Sequence, residues 1–416
     1  MHPEASVTLE IAVHTMAMEL GMTPLEFYRK NLVTDDTKNQ DNDRAMTSRS
    51  PRVCLERAAS YIGYESKYHA PGARTLSDGR MHGIGIIAHH DRHGNTSGGR
   101  AVVVYMNSDG TANFVTGQSN NQVGCNSVGL AVIVAEALGL PFEAVVCSSY
   151  GTADQAPDGG SQAGSRGASS NGTAALNAAL DIREQMFAFV AGELEVSADD
   201  LDARDGVIFV KTDPSKFMTH SDVMSDIDGP IIGFGRSHAE RGAIGGGLRK
   251  PTQGEEVGYD AYHREGVAAA YEVAVDTETG EVEILDWIHV LDVGRILDHY
   301  SAEGQRVSGM WVQYNKTFLW DVKYDPQTGT ELHQTHVENK TATHMDIPEP
   351  NGDKNTAEAL ELIDAIGPFG AHGIGEPSAP PGYSALIMAI NNALGGEMIK
   401  TRPVTPMVIL KHLGKA

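Results

Sequence analysis

Cysteine is scarce. The chain has three in 416 residues, Cys54, Cys125 and Cys147, and they are widely spaced. With no CxxC pair, this chain alone cannot build a zinc ribbon or an iron–sulfur site. A secreted disulfide framework is not expected on the same count. Basic residues are also short: 32 Lys and Arg stand against 55 Asp and Glu, for a formal net charge of -23. Phosphate backbones are bound by clustered Lys and Arg, so no nucleic acid partner is expected. The bland account of the acidity is a well-solvated surface. No apolar run is long enough to span a bilayer, and Met1-His2-Pro3-Glu4 lacks the basic and apolar regions of a signal peptide. We expect a cytoplasmic protein. The metalloprotease pattern H-E-x-x-H is absent as well.

What is present is an ordinary globular composition, 41% hydrophobic and 21% charged. The length implies two or more packed domains. Apolar periodicity predicts two helices within 4–33, the second opened by Thr23-Pro24-Leu25-Glu26, a capping box with proline at the first helical position. Another helix is expected from Pro51 to about Ile62. From Met81 the pattern turns strand-like at 83–88, 101–106 and 112–116, with Asn107-Ser108-Asp109-Gly110 as a hairpin turn. Helices are expected at 127–138, 173–190, 301–320 and 383–394, and further strands at 144–148, 267–275 and 282–290. Residues 191–260 read as mixed. Strands and helices come in runs rather than in strict alternation, which predicts an α+β fold.

Five segments could carry chemistry. In Gly117-Gln118-Ser119-Asn120-Asn121-Gln122-Val123-Gly124 a strand leads into a helix. Backbone amides there could hold an anion and Gln122 could read polar ligand edges; a plain polar loop is the alternative. Residues 154–172 contain Gly164-Ser165-Arg166-Gly167 and again enter a helix. Small side chains expose the backbone, and Arg166 could face a phosphate. A flexible surface loop is the bland reading, against which stands the rarity of such long loops inside compact domains. The same segment is a near-miss of a nucleophile elbow, Ala163-Gly164-Ser165-Arg166-Gly167, so a serine hydrolase using Ser165 with Asp292 and His372 is a rival. Asp292-Val293-Gly294-Arg295 and Gly304-Gln305-Arg306 form the third segment. The fourth, His89-His90-Asp91-Arg92-His93, could line a pocket, although adjacent residues on a strand face opposite sides. Finally, Gly373-Ile374-Gly375-Glu376-Pro377 sets one carboxylate between flexible glycines and rigid prolines, a turn able to aim Glu376 into a cavity.

Taken in order, these segments resemble the molybdopterin-binding subunit of the xanthine dehydrogenase/aldehyde oxidoreductase family. The resemblance covers nearly the whole chain, from Pro3-Glu4 and the helix ending Phe27-Tyr28-Arg29-Lys30-Asn31-Leu32 to the Glu376 turn. It implies that Asn121 and Gln122 sit at the family's Gly-Gln-Gly cofactor contact, where Val123 replaces a glycine. It implies that Gly164, Ser165, Arg166 and Gly167 wrap the pterin and its phosphate, that Gln305 is a second cofactor contact, and that Glu376 is the active-site base. His89 and His90 stand where aromatic residues often sandwich a purine, so xanthine is a poor expectation.

The implied protein is the catalytic subunit of a multi-subunit molybdenum hydroxylase, acting on an N-heterocycle or an aldehyde with water-derived oxygen. The molybdenum is held through the pterin, in the cytosine dinucleotide form, and no side chain ligates it directly. A dehydroxylase or hydratase on the same fold is an alternative, as is an assembly subunit without catalysis. Family subunits carry a further first half, so a companion chain is expected, as in split subunits of the nicotinate dehydrogenase type. Iron–sulfur clusters and FAD are expected on separate partner subunits. The expected division is 1–75 helical, completing a domain begun by the partner; 76–215 a first cofactor-binding α+β domain; and 216–416 a second, carrying Glu376.

Overall fold

The computed structural model describes residues 2–34, 37–38, 50–91, 100–118, 125–148, 154–157, 159, 164–227, 229–237, 265–335, 337–348, 357–362 and 367–416. The architecture is α+β, as expected: helices packed on one mixed sheet, helices packed on a second, and a small antiparallel meander.

The first sheet runs β1 (Met81–Asp91), β9 (Glu265–Val275), β10 (Val282–Asp292) and β11 (Ala357–Leu360). The first two neighbouring pairs are antiparallel, and β11 joins β10 in parallel. Small residues let helices lie directly on this sheet. A Cβ on Gly83 would fall 2.1 Å from the Ala389 carbonyl oxygen, and one on Gly85 would fall 2.3 Å from that of Ala385. Only glycine lets α9 (Pro380–Leu394) come that close. Gly266 lies on the opposite face, against the start of α3 (Pro51–Ile62), whose Cys54 thiol donates to its carbonyl at 3.3 Å. Ahead of α3 come α1 (His2–Glu19) and α2 (Pro24–Asn31), and directly after it the one-turn α4 (Tyr64–Lys67). The predicted capping box is present: the Glu26 amide donates to Thr23 Oγ1 at 3.2 Å, and the Thr23 amide to Glu26 Oε2 at 2.8 Å. These helices and the sheet share one apolar core, in which Leu55, Ile84, Ile86, Ala269, Tyr271, Leu386 and Ala389 are fully buried.

The second sheet runs β4 (Val145–Cys147), β3 (Ala112–Thr116), β2 (Arg100–Met106) and β8 (Ile232–Ser237). Its inner face packs on α5 (Ala131–Leu138) and α6 (Gly172–Glu193). Gly233 and Gly235 again permit close approach, their Cβ positions falling 2.0 and 1.9 Å from the carbonyl oxygens of Ala178 and Ala174. The meander β5 (Leu201–Arg204), β6 (Val207–Val210), β7 (Asp213–Thr219) closes this half, with α7 (His220–Asp226) after it. Strand β1 comes before this unit in sequence but pairs with strands that come after it, so the chain passes between the two cores more than once.

The predicted helix starts differ in one respect. The chain enters α5 through a π-helical turn, Cys125–Leu130, and α6 through another, Gly167–Asn171. A third, Asn315–Leu319, follows α8 (His299–Tyr314) where one continuous helix was expected. Such turns widen a helix and recur at functional sites. Among the described residues no helix is long and apolar enough to cross a membrane.

Among the buried histidines, desolvation lowers His14, His220 and His289 below the usual 6.5, His289 to about 3. Their folded pKa values lie below the unfolded one, so below pH 6.5 the unfolded chain takes up protons that the fold refuses. His289 alone then costs on the order of 1 kcal/mol of stability per pH unit as pH falls below 6.5. Urea midpoints measured from pH 7.5 down to 4.5 should hold above 6.5 and decline steadily below it; midpoints flat across the range would show that these histidines titrate normally.

Candidate active site

Gly164 (φ 79°) and Ser165 (φ 55°) are both left-handed, a conformation costly for a serine. The turn brings the Ser165 hydroxyl onto the Glu376 loop, 211 residues away. Ser165 Oγ accepts from the Glu376 amide at 2.7 Å and lies 3.4 Å from Glu376 Oε2. The two backbones touch as well: a Cβ on Gly373 would fall 1.6 Å from the Ser165 carbonyl oxygen. No side chain fits there, so the glycine is demanded by contact. Beyond Glu376, Ser378 Oγ donates to the Gly375 carbonyl at 2.8 Å, and Pro380 and Pro381 start α9. Glu376 itself is half-buried.

This junction walls a cavity of about 130 Å³. Gly129 comes from the π-helical turn before α5, Ser165 and Gly167 from the turn before α6, and His372, Gly373 and Gly375 from the Glu376 loop. The remaining wall follows β10. There Gly294 bridges Ala371, the Arg295 amide donates to the Gly370 carbonyl at 2.9 Å, and Asp298 caps α8 by accepting from the Ser301 amide at 2.7 Å. From this segment Val293, Arg295, Ile296 and Leu297 face the cavity, and from α8 Ser301 and Gln305. The cavity therefore lies at the seam between the two cores, with a mostly apolar lining and a few polar groups, the usual character of a small-molecule site.

The structure brings together Ser165, Gly167 and Gln305 in the cavity wall, with Glu376 tied to Ser165, and Gly164 and Arg166 flanking the turn. Asn121 and Gln122 lie outside the described residues. His89 and His90 are on β1; neither is part of the described cavity wall. His89 Nδ1 instead faces the buried Glu10 carboxylate on α1 at 3.6 Å, and Glu10 also accepts from the Tyr28 hydroxyl. The hydrolase relay gains no support. Asp292 accepts from Ser50 Oγ at 2.5 Å and the Gly294 amide at 3.2 Å, while His372 Nδ1 faces Glu265 Oε2 at 3.0 Å, both side chains fully buried. Sequence reading singled out Asp292 to Arg295 without seeing that Arg295, Asp298 and Ser301 share one wall. Only the pairing of Gly294 with Ala371 makes them neighbours of the Glu376 loop.

A sequence model described as the molybdopterin cofactor-binding domain matches residues 57–348. The chain belongs to this family. Among curated relatives, the aldehyde oxidoreductase molybdenum-binding subunit PaoC of Escherichia coli K12 is 26% identical over 419 residues, covering 98% of this chain and 50% of that protein. The nicotine 6-hydroxylase large subunit of Paenarthrobacter nicotinovorans is 22% identical over 415 residues, covering 97% and 49%. The chain thus spans about half the length of the curated relatives it matches. In three dimensions it is similar to quinoline 2-oxidoreductase from Pseudomonas putida 86, with a TM-score of 0.80 at 21% identity over 99% of this chain and 52% of that one. It is similar to a Cu,Mo-CO dehydrogenase with a TM-score of 0.81 at 19% identity, covering 100% and 52%. These two likenesses show that the chain shares its fold with about half of each of these proteins.

The Ser165 hydroxyl is the acceptor for the Glu376 amide in a half-buried setting. Ser165→Ala should therefore cost about 1–3 kcal/mol, the penalty for stranding such a donor. It should also speed hydrogen exchange at that amide. Unchanged exchange at Glu376 would mean that the hydroxyl does not hold the loop.

Proposed function

We propose that this chain is the cofactor-binding, catalytic part of a multi-subunit molybdenum hydroxylase that hydroxylates an N-heterocyclic or aldehyde substrate with water-derived oxygen. The observation that carries the reading is the Ser165–Glu376 junction. Ser165, in the wall of a glycine-rich cavity, holds the Glu376 backbone amide and lies beside the Glu376 carboxylate, inside a molybdopterin-binding fold.

The donor set fits a pterin cofactor. Gly129, Gly167, Gly373 and Gly375 leave backbone exposed along the wall, while Ser301, Gln305 and Arg295 offer hydroxyl, amide and guanidinium donors. Gly164, Ser165, Arg166 and Gly167 would wrap the pterin and its phosphate, Gln305 would be a second contact, and Asn121 and Gln122 a third. When bound, the cofactor, in our reading its cytosine dinucleotide form, supplies the oxygen-transfer and two-electron chemistry. The chain's own part is to bind, orient and exclude water, and to move a proton. Glu376 is the general base, taking a proton on its carboxylate while the Ser165 hydroxyl, beside Oε2, steadies it. The apolar wall of Val293, Ile296, Leu297 and Ile374 suits a flat, weakly polar substrate better than a charged one.

The other components follow by proposal. A companion chain supplies what corresponds to the remaining half of the relatives. Separate subunits carry iron–sulfur clusters and FAD, and the assembly is cytoplasmic.

The test is Glu376→Gln in the assembled complex. We expect kcat to fall by about 10²–10⁴, the range typical for loss of a general base, with molybdenum content unchanged. Turnover close to wild type would overturn the assignment and leave the chain a structural member of its assembly.

A further inference from the structure

Helix α8 presents Gln305, Gly309 and Gln313 at four-residue intervals, so they share one face. Gln305 lines the cavity. Gly309 packs against the loop beyond Glu376: a Cβ there would fall 2.5 Å from the Ser378 carbonyl oxygen. Gln313 is fully buried, and its Nε2 donates to two consecutive carbonyls of that loop, Ser378 and Ala379, each at 2.9 Å. These carbonyls belong to the second and third residues after Glu376, at the entry to α9.

The amide of Gln313 is held in one orientation by a buried chain behind it. The Tyr271 hydroxyl on β9 donates to Gln313 Oε1 at 2.8 Å, with Met310 Sδ at 3.0 Å beside it. That hydroxyl has one proton, so the bond of 2.7 Å between Tyr271 and His289 on β10 requires His289 Nε2 to be the donor. Burial keeps His289 neutral, as this tautomer needs. Reversing the Gln313 amide would set its oxygen against the Ser378 and Ala379 carbonyls, and would turn the Tyr271 proton toward His289 Nε2, moving the imidazole proton to Nδ1, which has no hydrogen-bond partner among the described residues. Space for the arrangement comes from Gly382 in the first turn of α9, where a Cβ would fall 1.6 Å from Gln313 Oε1 and 2.3 Å from His289 Nε2.

We propose that Gln313 is a positioning residue for Glu376: its amide, oriented by Tyr271 and His289, clamps the Ser378 and Ala379 carbonyls and so fixes the C-terminal side of the loop whose N-terminal side Ser165 fixes. The inference rests on the reading of Glu376 as the base. It adds a residue that touches neither cavity nor substrate.

Gln313→Met keeps the length of the side chain and removes both hydrogen bonds to the loop together with the one from Tyr271. In the purified complex, amide exchange followed by mass spectrometry should rise at least tenfold in peptides covering 373–382 and stay unchanged in α6 and β2. kcat should fall 10- to 100-fold with KM within twofold and molybdenum content unchanged. In the Glu376→Gln background the same substitution should change the residual rate less than twofold. If Gln313→Met does not assemble, Tyr271→Phe, which deletes only the orienting hydroxyl, should produce the same pattern at smaller size. Wild-type exchange at 373–382 in the assembled variant would overturn the clamp. So would an equal rate loss with and without Glu376. The exchange readout does not depend on turnover: if Glu376→Gln alone leaves the rate intact, the base assignment fails while the exchange data still decide whether Gln313 holds the loop.

Discussion

Ser165 and Gly373 touch backbone to backbone, and much of the site depends on that contact. It needs a glycine where any side chain would collide, two consecutive left-handed residues to turn the chain, and a hydroxyl whose acceptor capacity meets the Glu376 amide. A strained turn persists only where its surroundings over-determine it. Here the surroundings are substantial. The turn sits at the N-terminal end of α6, whose face is buried in one core, and the Glu376 loop runs into α9, which lies on the glycines of β1 in the other. Each half of the fold is held by ordinary apolar packing. The junction between them is polar, and it is where we propose the chemistry takes place.

The polar groups behind the junction follow the same logic. Ser50 and Asp292, Glu265 and His372, and the chain Tyr271–His289–Gln313 all sit in or beside the apolar sheet β1-β9-β10, and all point toward segments that wall the cavity. Burying such groups is costly unless each meets a partner, but once satisfied they fix a single geometry. A loop with few apolar anchors of its own gains its definition from them. The small cluster of Val267, Leu291 and Val293, with Ile296 and Ile374 packed against it, adds a dry floor beneath.

Much of this was legible in the sequence, for identifiable reasons. The Thr23–Glu26 capping box is a local signal and took its expected form, and the helix expected at 383–394 lies within α9, which starts three residues earlier on Pro380. The Glu376 turn and the Gly164 to Gly167 loop stood out because glycine and proline clusters next to a single charged residue have few structural excuses. The strands β5 to β8 were not read individually. They are short, and the residues around them are rich in glycine and charge, so no period emerges. His89 was weighed as a pocket residue because nothing local reveals that α1 brings Glu10 to it. Gln313 was invisible for a deeper reason. Strands β9 and β10 are apolar on both faces, so alternation does not show which side Tyr271 takes. A register shift between Ile284 and Asp286 further hides that Tyr271 and His289 point the same way.

The central proposal is that this fold holds a molybdenum cofactor at the Ser165–Glu376 junction. The most direct measurement is molybdenum and released nucleotide per chain in the complex purified natively through this chain from molybdate-fed cells. The account predicts near-stoichiometric molybdenum with one cytosine nucleotide, alongside iron–sulfur subunits and a companion half-subunit. An intact complex free of molybdenum would contradict it.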